Sequence, residues 1–376
     1  MKYRGVKHQN MKIALAHDDL CQFGGAERVV LELSSLYDRP PLYIALYSDT
    51  IISKFHDQIG KLRTSFLNNY KIIKKHPKSF FFLNPLAFES FNFDEYDVVI
   101  SSSTRFAHGI ITGPDTLHIC YMHSPSRYIW DYNEYMKMYN IKGIKKKILP
   151  LMVSYLRIWD MQASARPDFF IANSEYTRGR IKKFYNKDSV VINPPVNVER
   201  FINGKVEDHG YYLYIGRVVP WKRVDILIDA FKTLKYPLHI VGNGESSYIN
   251  TLKDNATDNI TFYENLDDKK VEDQLLRCRG LLFPSKEDFG IVPVEALACG
   301  KGVIAYEEGG VKDTIEDQKT GVFFKKQDKE DVVDAVIRFE KLKFDIDYLR
   351  KVSLGFKREI FRDKIEEFVK SKWEQR

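Results

Sequence analysis

No stretch of this 376-residue chain stays apolar and uncharged long enough to cross a membrane, which takes roughly 18–20 residues. The best run, 148–156, is interrupted by Pro150. Residues 1–10 are polar and basic, with no apolar h-region, and read as a loose tail rather than a secretion signal. Cysteine is scarce: Cys21, Cys120, Cys278 and Cys299 lie far apart, and no Cys-x-x-Cys pair occurs. This excludes a zinc site or a disulfide framework and leads us to expect a reduced, cytoplasmic protein. A Walker A sequence is missing. So is the full dinucleotide fingerprint, because Ser247 stands where the third glycine after Gly242-Asn243-Gly244 belongs. Nicotinamide-dependent dehydrogenases and P-loop phosphotransferases are therefore disfavoured. The only Asp-x-Asp, Asp345-Ile346-Asp347, falls late in the chain and reads as solvated surface, so no metal site is expected.

What is present suffices for ordinary cores: 44% of residues are hydrophobic and 29% charged, which is not the composition of a disordered chain. At about 150 residues per domain the length predicts two or three domains. The net charge of +7 is uneven, with +9 in residues 1–200 and −2 in 201–376, so the halves should meet different partners. Short apolar runs at 12–16, 42–46, 98–101, 117–122, 169–172 and 190–192 alternate with amphipathic stretches. A second series occupies 211–215, 238–241, 260–263, 280–283, 302–305 and 321–324, with helices expected at 223–234, 270–277, 293–299, 329–341 and 357–372. This is the α/β pattern of parallel sheets covered on both faces. Asn193-Pro194-Pro195-Val196-Asn197 can continue neither a ladder nor a helix and is the expected hinge. The chain divides on this reading into a tail (1–10), a first domain (11–195), a second domain (196–355) and a terminal helix (356–376), with a ligand cleft between the domains.

Three constellations could carry chemistry. Gly24-Gly25 lies between the first strand and a helix, where bare backbone can approach a phosphate; a tight turn without a ligand is the plainer alternative. Arg217 and Lys222 follow a strand end, and two cations there suit a diphosphate. Glu287 and Glu295 flank Phe289, Gly290, Ile291 and Val292, and Pro293 is expected to open a helix that puts Glu295 in its first turn. Carboxylates can accept from sugar hydroxyls, and the backbone N–H groups between them can meet phosphate or hexose oxygens.

In this order, Gly24-Gly25-Ala26-Glu27, Gly216-Arg217-x(4)-Lys222 and Glu287-x(7)-Glu295 resemble glycosyltransferase family 4, from about residue 11 to about residue 368. Within it the chain is similar to the WbaZ-like mannosyltransferases, through residues 121–131, Ala165-Arg166-Pro167-Asp168, residues 171–176 and Lys222-Arg223-Val224-Asp225. Many relatives carry Glu-Gly-Phe-Gly where this chain has Glu287-Asp288-Phe289-Gly290. The resemblance implies a GT-B fold: two Rossmann-like doubly wound domains facing a cleft, with the C-terminal helix crossing back to the first. It implies a retaining hexosyl transfer from a nucleotide sugar, GDP-mannose first, with no cofactor and no metal. Arg217 and Lys222 would neutralise the departing diphosphate and Gly24 and Gly25 would close on it. Glu287 would hold the sugar, Glu295 the ribose, and residues 289–292 would supply N–H groups. His123 would stand beside the anomeric carbon, and Asp19, Arg127 and Tyr128 would face the acceptor. A UDP-sugar transferase and a non-catalytic nucleotide-sugar-binding protein are the alternatives.

The excess of cations gathers in two clusters mixed with apolar side chains. One is Lys61, Arg63, Lys71, Lys74, Lys75 and Lys78 among Phe66, Leu67, Tyr70, Ile72 and Ile73; the other runs from Lys137 through Lys142 and Lys145–Lys147 into residues 148–153. Such segments suit an anionic membrane face and a lipid-linked saccharide acceptor, with ordinary solvated helix faces as the alternative. Nucleic acid is not an expected partner, since no RNA-binding aromatic motif occurs.

Overall fold

The computed structural model describes residues 11–138 and 144–376; the expected tail and Lys142 lie outside them. Seven parallel strands form one sheet: β1 (Ile13–Leu20), β2 (Leu42–Tyr47), β3 (Leu62–Thr64), β4 (Val98–Ser103), β5 (Leu117–Met122), β6 (Phe169–Ala172) and β7 (Ser189–Val191). Their order is β3-β2-β1-β4-β5-β6-β7. Six more form a second parallel sheet: β8 (Tyr212–Ile215), β9 (Leu238–Val241), β10 (Ile260–Tyr263), β11 (Gly280–Phe283), β12 (Val303–Tyr306) and β13 (Gly321–Phe324), in the order β10-β9-β8-β11-β12-β13. Strands β4, β5 and β11 are buried along their whole length, as expected of sheets covered by helices on both faces. The expected α/β class, two-domain layout and returning helix are all present.

The helices that shape the cleft are α1 (Gly25–Leu36), α2 (Ile144–Ala163), α3 (Glu175–Tyr185), α4 (Val224–Leu234), α5 (Ile291–Ala298) and α6 (Arg358–Glu374). Phe361, Ile365 and Val369 of α6 bury themselves against Val29, Leu33 and Tyr121 of the first lobe. Arg362 bonds Glu32 there and Arg358 pairs with the same carboxylate at 3.5 Å. Where the chain passes between lobes, Val196 and Lys357 form a parallel bridge, and Val196 N–H donates to the Phe356 carbonyl at 2.9 Å.

Several expectations need correction. Strand β1 extends past the expected run at 12–16 through His17, Asp18 and Asp19, which are inside the sheet. Residues 62–64 form a short edge strand, and Leu67 and Ile73 are core residues, so two of the five apolar residues of the first basic cluster are buried. Helix α5 starts two residues before Pro293, which puts Glu295 in the second turn. Proline is tolerated at that third position because the first N–H groups of a helix lack an intrahelical acceptor anyway.

Candidate active site

In both sheets the strand order reverses beside the first strand, between β1 and β4 and between β8 and β11. Loops leaving the carboxyl ends of neighbouring strands diverge at such a point and leave a crevice. The Gly24-Gly25 loop leaves β1, and the loop to Lys222 leaves β8. Residues 285–290 leave β11, and His123 directly follows β5. The loops from the two lobes touch: a Cβ on Gly25 would lie 3.0 Å from Ile291 Cδ1 at the start of α5. Gly290 caps that helix at φ +97°, a left-handed conformation that suits glycine. By its position the cap leaves the Ile291 and Val292 N–H groups without a carbonyl from an earlier turn.

Charges face each other across this crevice. Lys222 bonds Glu287, whose Oε1 also accepts from Ser285 Oγ at 2.7 Å. Burial is the largest influence on Lys222 and draws its pKa below the ordinary lysine value, against the pull of Glu287. Arg28 of α1 reaches over to Glu295 at 2.7 Å. Arg127 grips Asp288 through Nε at 3.1 Å and a terminal nitrogen at 2.9 Å. That pair holds Asp288 below the ordinary carboxylate range, although burial pushes the other way. Ser174, the N-cap of α3, donates to the Asp288 carbonyl, while Thr177 of the same helix donates to the His123 carbonyl at 3.1 Å. Arg217 is exposed at the mouth, its guanidinium 3.2 Å from Gln22 of the first lobe and over the Trp221 ring.

Lys222, Glu287, Glu295, Gly25, Ile291 and His123 thus belong to one crevice. Other expected residues are placed differently. Phe289 turns its side chain into the second core, packed on Phe356, so only its backbone can serve. The Arg127 guanidinium is occupied by Asp288 rather than open toward an acceptor. Tyr128 packs edge-on to Phe81 in the first core, and Asp19 is paired with Arg105. Gly244 bridges to Val218, so the incomplete glycine motif joins two loops of the second lobe. Asp345 caps the helix Ile346–Leu354 and is exposed, as is Asp347.

Two residues escaped the reading of the sequence. Asp18, 3% exposed, accepts from the N–H groups of Thr104, Arg105, Phe106 and Ala107 and from the Thr104 hydroxyl. It thereby fixes the loop after β4 that flanks His123. Burial would raise its pKa, but Arg105, His17 and the N–H donors lower it to about 2. A carboxylate inside an apolar strand was the available signal. Arg28 carried none, since its partner is 267 residues away. His123 lies 7% exposed, and burial, then the neighbouring His17, bring its pKa down to about 3.

Two α/β lobes that bring their switch-point loops to one cation-lined crevice define the GT-B architecture of glycosyltransferases. Residues 23–200 match the family model Glycosyltransferase Family 4, and residues 196–352 match Glycosyl transferases group 1. Between them the two matches span residues 23–352, and the chain carries the two domains of the GT-B, family 4 type. An uncharacterized glycosyltransferase of Methanocaldococcus jannaschii is 30% identical over 46% of this chain and 50% of its own, so the chain spans about half the length of that relative. The alpha-1,3/1,6-mannosyltransferase of Kluyveromyces lactis is 24% identical over 82% of this chain and 72% of its own. An Anabaena protein solved with UDP and glucose superposes with a TM-score of 0.70 at 16% identity, covering 96% of this chain and 100% of that one.

Proposed function

We propose that the protein transfers a hexose, mannose in the first instance, from GDP-mannose to a saccharide or lipid-linked saccharide. The observation that carries this reading is the pairing of Lys222 with Glu287 at the second lobe's switch point, with Arg28 of the first lobe reaching across to Glu295. In the reaction the bond between the sugar C1 and the phosphate oxygen breaks, and its electron pair leaves on the diphosphate. The acceptor oxygen bonds to C1 with retention, and its proton passes to the leaving phosphate oxygen. Lys222 and Arg217 offset the charge that builds on the diphosphate, with the start of α5 opposite. Glu287 then holds sugar hydroxyls and Glu295 the ribose. Each must exchange a present partner, Lys222 or Arg28, for the donor, so binding replaces internal ion pairs with ligand contacts. No metal is needed when fixed cations take this load.

Mannose rests on the yeast relative, which aligns along most of both chains. The UDP in the Anabaena structure keeps a UDP-hexose as the second reading. Thermal-shift screening against GDP- and UDP-sugars should give the largest stabilisation with GDP-mannose. The same donor should be hydrolysed slowly to nucleoside diphosphate, and with an excess of chelator present. Stabilisation by UDP-sugars alone would move the assignment to the second reading. Stabilisation without release of diphosphate would leave a binding protein.

The membrane proposal draws support from α2. Ile148, Leu151, Tyr155, Ile158 and Met161 are exposed along one of its faces, Leu151 by 74% and Ile158 by 67%, while Val153, Leu156 and Trp159 face the core. Lys147 is exposed beside this stripe, and Tyr70, Ile72, Lys71 and Lys75 form a smaller exposed group. Among the described residues no helix is long and apolar enough to cross a membrane, so any attachment through α2 lies along the surface. Each apolar side chain inserted contributes about 1.5–3 kcal/mol and each cation about 1 kcal/mol. The protein should float with anionic vesicles at low salt, and Leu151→Glu with Ile158→Glu should abolish flotation while leaving donor hydrolysis in solution intact. Equal flotation of this double variant would refute the α2 surface.

A further inference from the structure

A line of buried polar groups runs from His123 behind the crevice. His17 of β1 and Ser102 of β4 stand opposite each other in register and are 1% and 0% exposed. His17 Nδ1 is 3.0 Å from the Ser102 carbonyl oxygen and 3.1 Å from its hydroxyl. That hydroxyl lies 2.9 Å from Nε2 of His123. On the other side, His17 Nε2 is 3.9 Å from a Glu27 carboxylate oxygen, whose companion accepts the Gly24 N–H at 2.7 Å. The line therefore joins His123, on the expected sugar side, to the glycine loop on the expected diphosphate side.

The donors and acceptors fix its direction. A carbonyl oxygen can only accept, so His17 presents a proton at Nδ1 to Ser102, while its Nε2 faces the Glu27 carboxylate at ion-pair rather than hydrogen-bond distance. With its oxygen receiving from His17, the Ser102 hydroxyl is free to donate its own proton onward to His123 Nε2. His123 then carries its proton on Nδ1, the ring nitrogen that Ser102 does not hold. We infer that His17 is a positioning residue: its Nδ1–H holds His123, through Ser102, as the Nδ1–H tautomer, and its other edge packs against Glu27, the carboxylate that accepts the Gly24 N–H. Burial works against a charge on His17, but Glu27, Asp18 and Asp19 together raise its pKa above the ordinary histidine value. Its kinetic consequences rest on the transferase reading above; the tautomer does not.

Ser102→Ala removes the hydroxyl and leaves the backbone carbonyl opposite His17. This variant should lose about tenfold in kcat, the lower end of what a histidine's orienting partner is worth at metal sites, with donor KM within about twofold. His17→Asn keeps a donor opposite Ser102 but no longer reaches Glu27, and should raise donor KM severalfold. Ring-selective nitrogen NMR of His123 should show the Nδ1–H tautomer in the wild type and a mixture in Ser102→Ala. Wild-type kcat in Ser102→Ala, or the Nε2–H tautomer in the wild type, overturns the inference. A wild-type protein inert toward every nucleotide sugar overturns the transferase reading instead, and the NMR result still decides the tautomer. Should His17→Asn fail to fold, Ser102→Ala and the spectrum carry the test.

Discussion

Lys222→Ala should lower kcat for sugar transfer by about a hundred- to a thousandfold, measured as diphosphate release with saturating donor. Removing one fixed group that stabilises developing negative charge costs about 2.7–4 kcal/mol when the site excludes water. The Lys222 side chain is only 15% exposed and sits at the β8 end of the crevice with Glu287 as its partner. The variant loses a cation and also leaves Glu287 without it in a partly buried place. Arg217 is exposed at the mouth and should matter less, because solvent already screens its charge. Full activity of Lys222→Ala would mean that the diphosphate is neutralised elsewhere, and the assignment of the crevice would fall with it.

The largest effect on stability is expected at Asp18. Asp18→Asn should destabilise the first lobe by about 3 kcal/mol or more, read from urea unfolding, because the amide must turn its own N–H toward two backbone donors. The pH dependence has a definite sign. The folded pKa of Asp18 lies below the unfolded value of 3.8, at about 2. Its contribution, about 2–3 kcal/mol, is therefore fully present above the unfolded value and is lost as pH falls toward 2. Stability of the wild type should drop more steeply with acid than that of Asp18→Asn. Identical acid slopes would show that the carboxylate is not held ionised as described.

The strands were easy to read because a strand covered on both faces is a short continuous apolar run; β5, β9, β10, β11 and β13 coincide with their expected bounds. Helix starts were harder. Ile291 and Val292 are β-branched and precede a proline, so they read as loop until Gly290 is seen to cap the helix with a positive φ. The three-residue β3 carries Arg63 and has too short a pattern to stand out. Within the crevice, the groups carried by a single loop could be located from spacing along the chain. The ion pairs across it could not: Arg127 and Asp288 are 161 residues apart, and no local pattern links them. Asp18 was missed for a related reason. Its partners are chiefly backbone N–H groups, which every residue but proline possesses and no spacing reveals.

The paired crossings at Val196 and Lys357 restrict how the lobes can separate. Since the two segments are bonded to each other, they act as a single short axle, and relative sliding would tear the Val196–Phe356 bond. The lobes must instead swing like the covers of a book, with the smallest gap beside the spine and the widest at the far margin. Donor and acceptor should enter from that margin.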